Sequence, residues 1–125
     1  EPGLHDLLER ARRADLAIVS VGDVSAASTL FREGLLPRSE LASLIGAGAV
    51  GEVLCQFLDA NGRVVDHPVS RRVVAIPLED LRRVPRIAIA AGGRRKVAAI
   101  RAVLKATGAR VLITDQDAAE GLLTR

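Results

Sequence analysis

Arg86-Ile87-Ala88-Ile89-Ala90-Ala91-Gly92-Gly93-Arg94-Arg95-Lys96-Val97-Ala98-Ala99-Ile100 is the stretch whose reading decides the fold. Arg86 to Ala91 form a short, mostly apolar run behind Pro85, the pattern of a buried strand. Gly92-Gly93 turns the chain, and Val97, Ile100, Val103 and Leu104 then recur at helical spacing until Gly108. Arg110-Val111-Leu112-Ile113 repeats the strand pattern, and Thr114-Asp115 opens a last helix through Leu122-Leu123. Strand, helix, strand, helix in direct succession predicts an α/β domain with a mainly parallel sheet and helices on both faces.

Working back toward the N-terminus, Leu4, Leu7, Leu8 and Ala11 predict an amphipathic helix ending near Arg13. Leu16 to Val21 reads as a buried strand that breaks at Gly22-Asp23. Pro37-Arg38-Ser39-Glu40 opens a helix that the Gly46-Ala47-Gly48 cluster stops. Val50 to Leu58 is expected to be a strand leading into a hairpin, because Asn61-Gly62 supplies positive φ angles and Val64-Val65 can return. Val73 to Ile76 reads as another strand, and Pro77 to Leu81 as a first helical turn. No internal repeat or disordered tract interrupts this single-domain pattern.

Ligands on open parallel sheets bind outside the carboxyl ends of the strands, which directs attention to the loops that follow them. Gly92-Gly93 leaves the first N–H groups of the next helix uncovered, and Lys96 falls in its first turn, so together they make a candidate anion site. The same glycines could also serve only as a tight strand-to-helix turn. Of the 18 basic residues only Lys96 and Lys105 are lysine, so a lysine here hints at a need for a compact ammonium. Asp115 is a candidate for ligand binding or for capping its helix. Gly22 and Asp23 are open to a ligand or to a plain turn. Glu52 follows Gly48-Ala49-Val50-Gly51, placing a carboxylate that can accept from two hydroxyls where a backbone can come close to a ligand. It could equally be a surface strand position.

Several chemistries are disfavoured. The glycine loop lacks a dinucleotide fingerprint, and no Walker-type, Gly-x-Ser-x-Gly or His-Glu-x-x-His motif occurs. His5 and His67 sit among no ligand-spaced cluster, so neither a metal nor a cofactor is expected. The single cysteine, Cys55, is expected in core packing and permits no intrachain disulfide, which suits a reducing cytoplasm. The net charge of +3 is scattered, and the Arg pairs, including Arg94-Arg95, read as solvated surface. With two aromatic residues in 125, neither base stacking nor a phosphate-binding face is expected of this segment. No apolar run approaches the ~20 residues of a membrane-spanning helix. The chain lacks methionine and opens Glu-Pro-Gly, which leads us to expect a piece of a longer protein.

Three segments together resemble the sugar-binding domain of SorC-type (SorC/DeoR) transcriptional regulators. They are Gly46 to Glu52 running on to Phe57-Leu58-Asp59-Ala60-Asn61-Gly62, then Ala91 to Ile100, then Leu112-Ile113-Thr114-Asp115 with Ala118-Ala119. The resemblance covers nearly the whole chain and departs from the family at Leu58, where relatives often carry an aromatic residue. It implies a fold related to ribose-phosphate isomerases and CoA transferases. It also implies a partial effector domain whose helix-turn-helix and first, phosphate-loop strand lie outside this sequence, in a homo-oligomer that responds to a sugar or sugar phosphate. By this likeness Lys96 would hold a phosphate or hydroxyl, Glu52 would accept from hydroxyls, Gly22 and Asp23 would line the pocket, and Asp115 would be a further candidate. The alternative is a sugar-phosphate isomerase or lactonase on the same fold, with Glu52 or Asp115 as base.

Overall fold

The computed structural model describes residues 1–124. In chain order the elements are α1 (Pro2–Arg12), β1 (Leu16–Val19), β2 (Gly22–Asp23), α2 (Thr29–Arg32), α3 (Arg38–Gly46), β3 (Gly51–Val53), β4 (Gln56–Leu58), α4 (Leu78–Arg82), β5 (Arg86–Ala90), α5 (Val97–Thr107), β6 (Val111–Ile113) and α6 (Gln116–Leu123). Short 3-10 turns cover Pro68–Arg71 and Arg94–Lys96. No helix among the described residues is long and apolar enough to cross a membrane.

Two three-stranded sheets divide the strands. The first is parallel, in the order β1-β5-β6, with Val19 opposite Ile89 and Ile89 opposite Leu112. The second is antiparallel, in the order β2-β3-β4. The predicted strand–helix–strand–helix unit is therefore present as β5-α5-β6-α6. Its helix ends where glycine permits: Gly108 takes φ +67° and returns its N–H to Leu104.

Residues directly paired across the parallel sheet share a face. Val19, Ile89 and Leu112 point into the main core with Ile100 and Val103 of α5, Leu81 of α4 and Ala118 of α6. The opposite face carries Leu16 and Ile18 of β1 and Val111 and Ile113 of β6, exposed at 47%, 63%, 52% and 58%. The Leu16–Val21 run is consequently shorter than expected as a strand and only half buried. An uninterrupted apolar run does not reveal that its strand lies at a sheet edge with one open face.

A second core gathers Phe31, Leu44, Phe57, Val65 and Val69 beneath the antiparallel sheet. The chain turns back at Asn61-Gly62 as expected, but only Gly62 takes a positive φ, +82°, and the return is a single bridge from Val64 to Leu58. A second turn precedes it and splits the strand expected over Val50 to Leu58 into β3 and β4. Leu54 and Cys55, at φ +51° and +60°, form the two-residue link between β3 and β4, with both central residues at positive φ as a type I′ hairpin requires. Cys55 is thereby exposed at a hairpin tip instead of packed in a core. Val73 to Ile76 forms no strand; of these residues Ile76 is buried and offers its carbonyl to the Gln56 side chain. Both departures share a cause: local apolar pattern cannot tell a strand from an anchored loop.

Candidate functional site

Where β1 runs out, Val21 leads into β2, and β2 pairs with β3 so that Gly22 faces Glu52. The missing side chain at Gly22 is the space into which Glu52 folds: a Cβ at Gly22 would sit 2.9 Å from Glu52 Cδ and closer still to Oε1. The Glu52 carboxylate accepts from the Cys55 N–H at 2.8 Å, so the unusual hairpin tip also braces the acid. Burial raises the Glu52 pKa above the ordinary carboxylate range, opposed by that N–H and by the charge of Lys96.

Lys96 comes from the turn before α5 and donates to the Val21 carbonyl at 2.8 Å. Its ammonium has three donors, so two remain for other partners. Asp23 is buried and accepts from Ser25 Oγ at 2.6 Å, and Arg95 Nε stands 3.2 Å from the same carboxylate oxygen. Val21, Gly22, Asp23, Glu52, Arg95 and Lys96 line one pocket of about 380 Å³, together with Ser28, Thr29 and Arg32 at the start of and along α2. Four of the seven residues singled out from sequence thus meet around one cavity.

The other three meet elsewhere. Asp115 caps α6 by accepting from the Ala118 N–H at 2.9 Å, and its second oxygen accepts from the Gly93 N–H at 2.8 Å. The Gly93 amide foreseen as part of an anion site is taken by a carboxylate of the protein itself. Gly92 is needed for the same contact, since a Cβ there would stand 2.7 Å from Asp115 Oδ2. Gly92, Gly93 and Asp115 therefore pin two loops at the carboxyl edge of the sheet, next to the lysine-bearing turn. Sequence reading passed over Arg95 as it did Ser28, Thr29 and Arg32, because an arginine pair in an arginine-rich chain carries no mark of the buried acid opposite it. Asp23-Val24-Ser25 was the available clue: a short hydroxyl two residues beyond an acid is placed to fix it.

One other arrangement could suggest catalysis. His67 is buried, with Nε2 2.8 Å from Ser43 Oγ, but its Nδ1 accepts from the Val69 N–H at 3.1 Å. That bond assigns the proton to Nε2, so the imidazole donates to the serine and has no free lone pair to take the serine's proton. The pair holds α3 to the loop at residues 67–71.

A family model described as "Putative sugar-binding domain" matches residues 1–124. The chain belongs to this sugar-binding domain family. Among curated relatives it is 36% identical over 117 residues to the deoxyribonucleoside regulator of Bacillus subtilis (strain 168), covering 94% of this chain and 37% of that protein. It is 36% identical over 121 residues to the erythritol catabolism regulatory protein EryD of Brucella abortus (strain 2308), covering 97% of this chain and 38% of the relative. Among solved structures, a DeoR family transcriptional regulator from Listeria monocytogenes superposes with a TM-score of 0.90 at 28% identity, over 98% of this chain and 50% of that one. The sugar-binding domain thus spans less than two-fifths of these curated relatives. Its α/β fold, with a parallel sheet flanked by helices, agrees with the sequence reading and with the resemblance to SorC-type regulators.

Two predictions follow the geometry of this sugar-binding domain. Gly22→Ala should displace Glu52 and lower affinity for a polyol ligand by about tenfold or more, at a stability cost of about 1 kcal/mol, because only a side-chain end must move. Calorimetric titration beside a thermal melt separates the two effects; unchanged affinity would show that Glu52 is not a contact. The second concerns pH. A carboxyl whose folded pKa is raised contributes stability below its unfolded pKa and loses it as pH rises through the folded value. Glu52→Gln should therefore gain stability relative to the parent protein as pH rises from the ordinary carboxylate range through the raised folded value. Melts across that range test it, and a constant difference would contradict it.

Proposed function

We propose that this domain senses an effector for a bacterial transcriptional regulator, binding a sugar or sugar phosphate in the pocket of Gly22, Asp23, Glu52 and Lys96. One observation carries the reading: two carboxylates and a lysine, brought from β2, β3 and the turn before α5, converge on one cavity. Carboxylates suit polyols because each accepts from two hydroxyls, and a lysine with two unused donors can take a hydroxyl or phosphate oxygen. Asp115 with Gly92 and Gly93 holds the loop that carries Lys96, so these three act on the ligand through its position. The relatives' printed names, for deoxyribonucleosides and erythritol catabolism, support the same chemistry.

In this reading the domain binds its ligand without turning it over and works in the cytoplasm as part of a homo-oligomer. Contact with operator DNA falls to a separate helix-turn-helix domain. The effector acts by its differential affinity for the DNA-binding and non-binding states, since a ligand shifts an equilibrium only by that difference. The test is a panel of four- to six-carbon polyols and their phosphates, titrated into the full-length protein. At least one should raise the melting temperature and change operator affinity by about fivefold or more. If none moves either quantity, the effector role is wrong.

A further inference from the structure

We propose that the Leu54-Cys55 hairpin tip is a conformational relay: occupancy of the pocket at Glu52 frees the tip to change its turn and so reshapes an apolar cavity on its far side. This rests on the sugar-binding reading above and adds to it a route by which a filled pocket is felt elsewhere in the domain.

The tip is held in a conformation that its own residues do not favour. Leu54 and Cys55 take φ +51° and +60°, the left-handed region that glycine and asparagine enter readily and a leucine does not. Such a turn persists only where its surroundings impose it. The β3–β4 ladder closes at Val53 and Gln56, which leaves the Cys55 amide outside it. That amide donates to Glu52 Oε2 at 2.8 Å, a charge-assisted bond. Leu54 packs against the main core, and the Gln56 side chain donates to the Ile76 carbonyl at 3.0 Å. Of these supports, Glu52 alone also lines the sugar pocket.

Its position makes the tip a partition between two cavities. Glu52 faces the polar one with Lys96, while Leu54 and Cys55 face a second of about 380 Å³, whose walls include Leu36, Phe57 and Val73. The Glu52 carboxylate has Oε1 packed over Gly22 and Oε2 on the Cys55 N–H. Ligand hydroxyls that this carboxylate accepts compete for Oε2 or turn the group, and either weakens the bond to Cys55. The positive φ angles then lose the one support that a ligand can reach, and the tip shifts toward turns with negative φ. Leu54 and Cys55 move with it, and the apolar cavity changes shape. A bound ligand thus acts through its differential affinity for two tip conformations.

The experiment follows Cys55 in the full-length protein by amide hydrogen exchange and by the backbone carbon shifts of selectively labelled cysteine, which report the sign of φ. Erythritol, ribose, sorbitol and their terminal phosphates are the probes, with binding measured by calorimetry. A compound that binds should speed exchange at Cys55 by about fivefold or more and move its shifts away from positive-φ values. Glu52→Leu, which removes the acceptor, should do both with no compound present. Leu54→Asn places a residue that accepts positive φ at the tip, so its Cys55 shifts should stay at positive-φ values when the compound binds. The relay is wrong if a bound compound leaves Cys55 exchange within about twofold of the free protein, or if Glu52→Leu leaves the shifts unmoved. Neither outcome depends on the Leu54→Asn protein folding; a folded Leu54→Asn protein whose shifts move as the parent's do overturns the relay as well. If no compound binds, the sugar-binding reading fails and the relay with it, and the missing heat of binding distinguishes this from a relay that fails on an occupied pocket.

Discussion

Replacing Gly51 by valine is expected to destabilise the domain by about 3 kcal/mol and lower its melting temperature by about 10 °C. Gly51 is buried at the start of β3, where the strand lies directly on α5: a Cβ there would stand 2.7 Å from Ala99 Cα and closer still to Ala99 Cβ. Neither atom can rotate away, because Ala99 is 1% exposed within the helix that forms the main core. Strand and helix must separate, and overpacking of that kind costs about 1–3 kcal/mol or more. Because β3 also carries Glu52, ligand binding should fail with it. The check is a thermal or urea melt of Gly51→Ala, Gly51→Val and Gly51→Ala combined with Ala99→Gly. The double variant should recover part of the loss, giving a non-additive cycle. A Gly51→Val protein melting within about 2 °C of the parent would refute this packing.

On the proposed sugar-sensing reading, Lys96→Met should lose about 10- to 100-fold in ligand affinity while the fold survives. The substitution keeps an apolar stem and removes the ammonium, and a hydrogen bond from a charged donor contributes about 1.5–3 kcal/mol. Two further consequences separate this from a general loss of structure. The Val21 carbonyl loses its partner, costing about 1 kcal/mol or slightly more. Glu52 loses the charge that restrains its pKa, so its carboxyl should titrate still higher and the stability of the variant should decline more over the acidic-to-neutral range. Calorimetric titration and pH-dependent melts measure both. Affinity within about threefold of the parent would remove Lys96 from the pocket, whatever its hydrogen bond to Val21 contributes to folding.

Much of the fold was legible because its signals are local. The β5-α5-β6-α6 unit announces itself through two apolar runs, a glycine pair, a helical stripe and an Asp cap, each encoded within a few residues. The hairpin tip at Leu54-Cys55 was not, because nothing in those side chains asks for positive φ; the pairing of β3 with β4 and the Glu52 carboxylate hold it there. Cys55 was misplaced for the same reason. Val73 to Ile76 has a strand's composition but finds no neighbouring strand to pair with.

The candidate site divides along the same line. Loop position after strands offered Gly22, Asp23 and Lys96 as candidates, a glycine-rich stretch offered Glu52, and the family resemblance rather than residue type drew the four into one pocket. Sequence could not say that Glu52 folds over Gly22, since that depends on a pairing register between strands 30 residues apart. Nor could it say that the Gly93 amide would be answered by Asp115, or that Arg95 would stand against a buried acid 72 residues away. Periodicity and turn chemistry act between near neighbours and are written in order along the chain. A binding pocket is made of distances between distant segments, and only the packed structure sets those.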